Sequence, residues 1–478
     1  MEMFTLLTIF FLQFADKAGS DVVCLSPTAI EMREARGIPL DDLDYAVSPI
    51  YLDSVKAMGA KVLHTSRWLN GATVEACAEA MSQIAECDFV DTVWVTRRSV
   101  EHEKMVSASQ MKQTENEDWP EMILPSVTKK QLEVINLLPL HEAGYRGLDI
   151  RIGIADGGFY HADSMASLPH EQYLGYADLT DCEHDIFAQE GKHGSLCLSA
   201  IVGRKKDYEG AATEASYFLF RTEEHYTESP KEIDNWVAAI EMADSLGLHI
   251  VSTSLGYTTF DEGEEQFSYA DMDGRTSRGA QAACIAARKG LLLVVAMGNE
   301  GNKEWHYIST PADADSVLSV GAVDEDKIIA PFSSYGPTAD GRVKPEVCAV
   351  GDGSYLIDPA SGTVTQSKGT SFACPLIAGM AACLWSAMPK ASNMEIREII
   401  MRSCDRYAEG GDEQYGYGVP DAWKAYLSST TNVGTIVASE SGVKDRKILR
   451  NGHLYILHNG KRYNLLGNRI ECEETYTK

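Results

Sequence analysis

The sequence predicts a doubly wound α/β protein on a parallel sheet, with a small α+β domain before it and a short β meander after it. Three observations predict this. Between residues 126 and 427, apolar strand-like runs alternate with amphipathic helical patterns, the signature of strand–helix–strand units in a parallel sheet. Residues 1–98 order their apolar periods as β-α-β-β-α-β. Residues 428–478 carry two Asn-Gly pairs, each flanked by short apolar runs, the strongest short-range hairpin signal.

In the first domain, residues 10–14 read as a strand and 49–58 as a helix with apolar spacing of three to four. Residues 61–74 read as two strands around Asn70-Gly71, 74–87 as an Ala-rich helix and 91–96 as a closing strand. That order is ferredoxin-like. The apolar run 4–14 is open to two readings, a buried strand or a secretory signal. Against the signal, no Lys or Arg precedes the run, Glu2 carries the wrong charge and no A-x-A cleavage site follows. The expected location is secreted or in the cell envelope. Residues 99–125 are polar without a sustained apolar period and read as an exposed linker.

In the central domain, residues 150–155, 249–254, 291–296 and 317–323 are strand-like, and 194–202, 233–246 and 276–289 are helical. Such sheets bind ligands outside the carboxyl ends of their strands. The tail is predicted to be a three-stranded meander turning at Asn451-Gly452 and Asn459-Gly460.

Composition removes several function classes. A formal charge of −28 over 478 residues argues against nucleic acid as a partner, because neutralising phosphates needs a basic surface. The acidic surface leaves room for structural calcium. The eleven cysteines include no C-x-x-C pair and no metal-ligand spacing, so the metal assignment stays unknown. Cys197, Cys284, Cys374 and Cys383 read as buried free thiols. No run of 18 apolar residues occurs, so no transmembrane segment is expected.

The chemistry begins at Gly369-Thr370-Ser371-Phe372-Ala373-Cys374-Pro375. A Ser here opens an Ala-rich helix, where free backbone N–H groups face developing negative charge, and Pro375 is expected in the first turn. Read alone, Ser371 is equally an N-cap. A serine hydroxyl needs a base, and His193 in Gly191-Lys192-His193-Gly194-Ser195 stands just before a helix, with His161 and His184 as rivals. The base needs an acid to fix its tautomer. Asp156 ends an apolar strand before Gly157-Gly158, a position that an Asx-turn would also explain. Asn299, in Met297-Gly298-Asn299-Glu300-Gly301, offers an amide donor to an oxyanion, or is simply a turn residue.

Together, in the order Asp, His, Asn, Ser, these motifs resemble the subtilase family over residues 126–427. The Ser motif is similar to the family's G-T-S-x-A-x-P and the His motif to its H-G-[ST]. The resemblance implies a subtilisin-like fold and a serine endopeptidase with Asp156, His193 and Ser371 as its triad and Asn299 in its oxyanion hole. It needs no cofactor for the chemistry. Residues 252–256 resemble the strand that pairs with substrate, so Ser254, Leu255 and Gly256, with Met297 and Gly298, are expected to bind it, and Gly256 to line the S1 pocket. The segment 332–337 resembles a further strand-turn of the fold. Three departures stand out: Gly-Gly after Asp156, Cys197-Leu198 after His193, and Met297 in place of a small residue, expected to narrow the S1 entrance. The implied partners are protein or peptide substrates and the chain's own propeptide-like domain, residues 1–98. Two rival readings remain: a silent binding protein on the same scaffold, and an acyl transferase or peptide ligase with an amine replacing water.

Overall fold

The computed structural model describes residues 7–17, 20–98, 126–180, 185–188, 191–224, 227–261, 263–432, 446–450, 453–458, 461–463 and 469–470. The expected linker 99–125, the rival His184 and both Asn-Gly turns of the tail lie outside them.

The first domain has strand β1 (Leu7–Phe14), helices α1 (Pro27–Arg36) and α2 (Pro49–Ala57), strands β2 (Lys61–Ser66) and β3 (Gly71–Cys77), helix α3 (Ala78–Ala85) and strand β4 (Val90–Arg97). Its sheet order is β2-β3-β1-β4 with antiparallel neighbours. The apolar run is therefore a central strand. Side chains alternate faces along a strand, so Phe10, Leu12 and Phe14 fill the domain's own core while Phe11 joins the core of the larger domain. The helix expected over 74–87 starts only at Ala78, because Val74 to Cys77 continue the ladder against β1.

The insertion carrying α1 was not foreseen. Ser26 caps it, accepting from Ala29 N–H at 3.2 Å, and its last residue reaches the large domain: Arg36 donates to Gly290 O at 3.2 Å and lies 4.8 Å over the Trp385 ring.

The large domain runs through α4 (Lys129–Val134), α5 (Leu138–Glu142), β5 (Arg151–Asp156), β6 (Tyr173–Asp178), α6 (His193–Val202), the short pair β7 (Arg204–Lys205) and β8 (Tyr208–Glu209), and β9 (Ser216–Arg221). It continues with α7 (Lys231–Leu246), β10 (Ile250–Thr253), α8 (Arg278–Arg288), β11 (Leu292–Ala296), β12 (Leu318–Val323) and β13 (Val347–Val350). The hairpin β14 (Asp352–Ile357) and β15 (Val364–Lys368) precedes α9 (Thr370–Ala387), α10 (Asn393–Ser403) and α11 (Ala422–Asn432). Seven strands form one parallel sheet in the order β13-β12-β11-β10-β5-β9-β6. Its two faces feed two cores: Ile152, Ile154 and Val294 face α6 and α9, while Val251, Leu293 and Val295 face α7 and α8. Strands buried on both faces read as continuous apolar runs, which is how they were legible.

Helix α9 is long and apolar enough to cross a membrane, yet it is buried inside the protein as the central helix of the first core. Pro375 does not sit in its first turn but at the sixth helical position. Separately, the tail forms a four-stranded antiparallel meander, β16 (Arg446–Arg450), β17 (His453–His458), β18 (Lys461–Tyr463) and β19 (Arg469–Ile470). The expected three strands gain one short partner, Arg469–Ile470, paired with Arg462 and Tyr463.

Candidate active site

The carboxyl ends of β5, β10 and β11 meet the N-termini of α6 and α9 at a cleft of about 350 Å³. Asp156 ends β5, in the middle of the sheet, and its side chain is 2% exposed. Its carboxylate accepts from Gly157 N–H at 2.8 Å and from His193 Nδ1 at 2.9 and 3.0 Å. An ionised carboxylate only accepts, so we assign the proton to Nδ1, which leaves the Nε2 lone pair of His193 free. Burial opposes charge on this imidazole, but the Asp156 carboxylate outweighs it and holds the pKa well above the usual histidine value.

The second glycine after Asp156, Gly158, and Gly194 have a steric reason, whereas at Gly157 a Cβ would make only ordinary contact with Glu223, at 3.4 Å. Gly194 N–H donates to Gly158 O at 3.0 Å, and a Cβ on Gly194 would sit 2.5 Å from that oxygen. A Cβ on Gly158 would sit 2.8 Å from Gly191 O. The turn after Asp156 and the start of α6 meet backbone to backbone, which seats His193 against its acid.

Ser371 is the second residue of α9, and its Oγ donates to Ser254 O at 3.1 Å. The displaced proline matters here. An ordinary residue 375 would donate its N–H to Ser371 O, and proline has none. That carbonyl instead accepts from Ser254 Oγ at 2.9 Å and Cys197 Sγ at 3.4 Å. Ser254 thus grips Ser371 at both its hydroxyl and its carbonyl, while Cys197 ties α6 to the same turn. A valine at position 197 would offer no donor.

Asn299 is oriented by Thr370, whose N–H and Oγ1 donate to Asn299 Oδ1 at 2.9 and 3.1 Å. Among the described residues no hydrogen bond engages its Nδ2. The segment 332–337 clamps this loop: Gly301 N–H donates to Phe332 O at 2.9 Å, Ser334 N–H to Gly298 O at 3.0 Å, and Glu300 N–H to Ser334 Oγ at 3.0 Å.

Of the expected residues, Asp156, His193, Ser371, Asn299, Ser254, Leu255, Gly256 and Gly298 all line the cleft. Met297 does not: its side chain is fully buried in the second core, and Ala296 lines the cleft in its place. The expected narrowing of the entrance is therefore corrected. The rival His161 stacks on Tyr160, with ring centroids 3.8 Å apart, away from the cleft lining. Of the expected buried thiols, Cys197, Cys374 and Cys383 are buried and free, whereas Cys284 is partly exposed.

Sequence reasoning missed the acidic wall of the cleft, Glu223 and Glu228. Glu223 lies just past the carboxyl end of β9, and that position was the available signal. Among the described residues, ligand-type atoms gather within 4.8 Å of one another in two groups: Asp156, His193 and Cys197, and Glu223, Glu228 and Glu232. Burial is the first cause that raises each of the three glutamates, and like charges add to it. Glu223 is pushed up to about 8 with help from Glu228 and Asp156, Glu228 to about 7 with help from Asp261, and Glu232 to about 10 with help from Glu223 and Glu228.

A parallel sheet delivers a serine, a carboxylate-paired histidine and an amide to one cleft, and the comparisons give the family. Residues 147–418 match the family model for the Peptidase_S8 subtilase family, and the chain belongs to that family. Residues 10–116 match the peptidase S8 propeptide domain of Bacteroidota. Subtilisin DY of Bacillus licheniformis is 28% identical over 277 residues, 58% of this chain and 90% of that protein. Serine protease AprX of Bacillus subtilis is 25% identical over 308 residues, 58% of this chain and 66% of AprX. Subtilisin-like protease SBT6.1 of Arabidopsis thaliana is 26% identical over 308 residues, 62% of this chain but 27% of that protein. So the chain spans less than two thirds of two of these three relatives. The structure of MycP1 with its N-terminal propeptide removed shares the fold, with a TM-score of 0.50 at 19% identity, covering 62% of this chain and 96% of that one.

Proposed function

We propose that Asp156, His193 and Ser371 act as the catalytic triad and that Asn299 completes the oxyanion hole. The observation that carries this is the convergence of an Asp-paired imidazole, a serine at a buried helix N-terminus and an oriented amide on one cleft. A peptide lies along Ser254, Leu255 and Gly256, adding main-chain hydrogen bonds as a strand. His193 Nε2 takes the Ser371 proton as Oγ attacks the scissile carbonyl, and Asp156 stabilises the imidazolium. The Ser371 N–H and Asn299 Nδ2 hold the oxyanion. His193 then protonates the leaving amine, and water releases the acyl group by the reverse path. In the resting structure Ser371 Oγ bonds to Ser254 O. A rotation about its side chain brings it to the imidazole, as catalytic hydrogen bonds often tighten only with substrate.

Residues 1–98 serve as a propeptide-like domain, 99–125 as a linker, 126–427 as the peptidase domain and 428–478 as a tail. The propeptide match supports the first and supports work in the cell envelope or outside the cell. None of these steps requires a bound cofactor. The direct test is fluorophosphonate labelling followed by peptide mapping; the adduct should sit on Ser371, and an adduct on any other serine would refute the assignment.

Two kinetic results follow. Because the base must be neutral, activity rises with pH through the raised His193 pKa. The acid limb of kcat/KM on an uncharged peptide should therefore lie above the ordinary value of about 6.5; a midpoint at or below that value would contradict the pairing with Asp156. Asn299→Ala should lower kcat by about 10²–10³ with little change in KM. An equal change in KM alone would make Asn299 a ground-state contact.

A further inference from the structure

We propose that the cleft selects a basic side chain, lysine or arginine, at the second residue before the scissile bond, held by Glu223 and Glu228. This rests on the peptidase reading above and deepens it.

The argument starts from position. Thr222 N–H donates to Asp156 O at 3.1 Å, so Glu223 follows directly beside Asp156. The Tyr257 hydroxyl, next after Gly256 along the substrate-binding segment, donates to Glu223 at 2.8 Å. The carboxylates therefore wall the side of the cleft where residues preceding the scissile bond pass. An extended peptide alternates its side chains between two faces. If the first enters the floor at Gly256, Gly298 and Ser309, the second faces His193, Asp156 and Glu223.

A second, independent observation comes from Glu224, next in the chain to Glu223 but outside the cleft lining. At the end of β4, Arg97 of the first domain docks its guanidinium on Glu224 at 2.6 Å, with both side chains 15% exposed. Glu224 is bound to the same cluster, its N–H donating to Glu232 at 2.8 Å. The contrast between neighbours is instructive. Burial would raise Glu224, but Lys231 and Arg97 overcome it and hold its carboxyl below the ordinary value. Glu223 and Glu228 are instead left raised by burial and repulsion. A cation brought by substrate supplies the missing charge beside half-buried Glu223, with Glu228 at the exposed edge of the cluster, and a partly enclosed contact discriminates better than a fully exposed one.

The test uses internally quenched peptides identical except at that position, which holds Arg, Lys, citrulline or norleucine, with fluorophosphonate labelling of the same enzyme samples. Arg and Lys peptides should show kcat/KM about tenfold or more above the citrulline and norleucine peptides. In the Glu223→Gln/Glu228→Gln variant that ratio should fall below about threefold while Ser371 still labels. Labelled, active enzyme with no basic preference would overturn the proposal and leave the triad standing. A preference untouched by the double variant would also overturn it. So would a wild type that binds millimolar calcium, lost in the variant, with selectivity unchanged; the cluster would then be a cation site. Enzyme that neither labels nor cleaves would sink the peptidase reading itself and this proposal with it.

Discussion

Replacing Ser371 by alanine is expected to lower kcat by about a million-fold, the size known for removing the nucleophile of subtilisin. The loss should appear in kcat rather than KM, because Ser371 Oγ touches the carbonyl only along the reaction path. The substitution is also gentle on the fold. It removes one hydroxyl whose bond is to Ser254 O, and the bonds to Ser371 O from Ser254 and Cys197 stay in place. His193→Ala should cost a similar factor, and the double variant no more than either alone, since members of one catalytic unit are not additive. Steady-state and single-turnover rates on one peptide, with circular dichroism to confirm folding, check this. Multiplying losses in the double variant would mean that the two residues act separately.

The largest stability effect is expected at Asp244. Two buried arginines of the first domain converge on this α7 carboxylate, Arg33 at 2.5 Å and Arg67 at 2.7 Å. Arg67 also pairs with Glu241, and Arg33 with Asp44, which in turn meets Lys289. Burying such charges is costly when they are unpaired. Asp244→Ala leaves Arg33 and Arg67 each short of a partner and should destabilise by about 3–5 kcal/mol. The exposed pair Lys56–Asp53, at 55% and 74% side-chain exposure, is the control; Asp53→Ala should cost under about 1 kcal/mol. Urea unfolding in the Ser371→Ala background avoids self-digestion. Equal midpoints for the two variants would show that the network contributes no more than a surface pair.

How much of this was legible follows from what each residue must do. Asp156, His193, Asn299 and Ser371 could be read because the proposed chemistry fixes residue type, and they stand at or shortly after a strand's end or at a helix start. Strands β5, β10, β11 and β12 could be read because both faces are buried. The edge strand β6 could not: Leu174 and Tyr176 are exposed, so its apolar pattern points to no core. Helix α1 was hidden for a related reason. Its main anchor is Arg33, a charged residue that is 4% exposed, and nothing local marks a charge as buried. The same holds for Pro375, whose meaning depends on Ser254 and Cys197, far away in sequence. Met297 was misread because its neighbours Ala296 and Gly298 do face the cleft, and a sequence does not say which way a loop residue turns.

Helix α9 has a consequence beyond carrying Ser371, the proposed nucleophile. Eight residues after Ser371, a Cβ on Gly379 would fall 2.4 Å from the Ala211 side chain. At 1.5 Å per residue that point is about 12 Å from the Ser371 hydroxyl. An α-helix this tightly enclosed acts as a rigid rod, so the way its middle is seated sets the reach of its tip. A single methyl group at 379 must push the rod along or aside. Misplacing a reacting atom by about 1 Å can cost about 10² in rate. Mechanical tolerance along α9 is therefore tighter than stability alone would demand, and a substitution remote from any substrate can detune the enzyme without unfolding it.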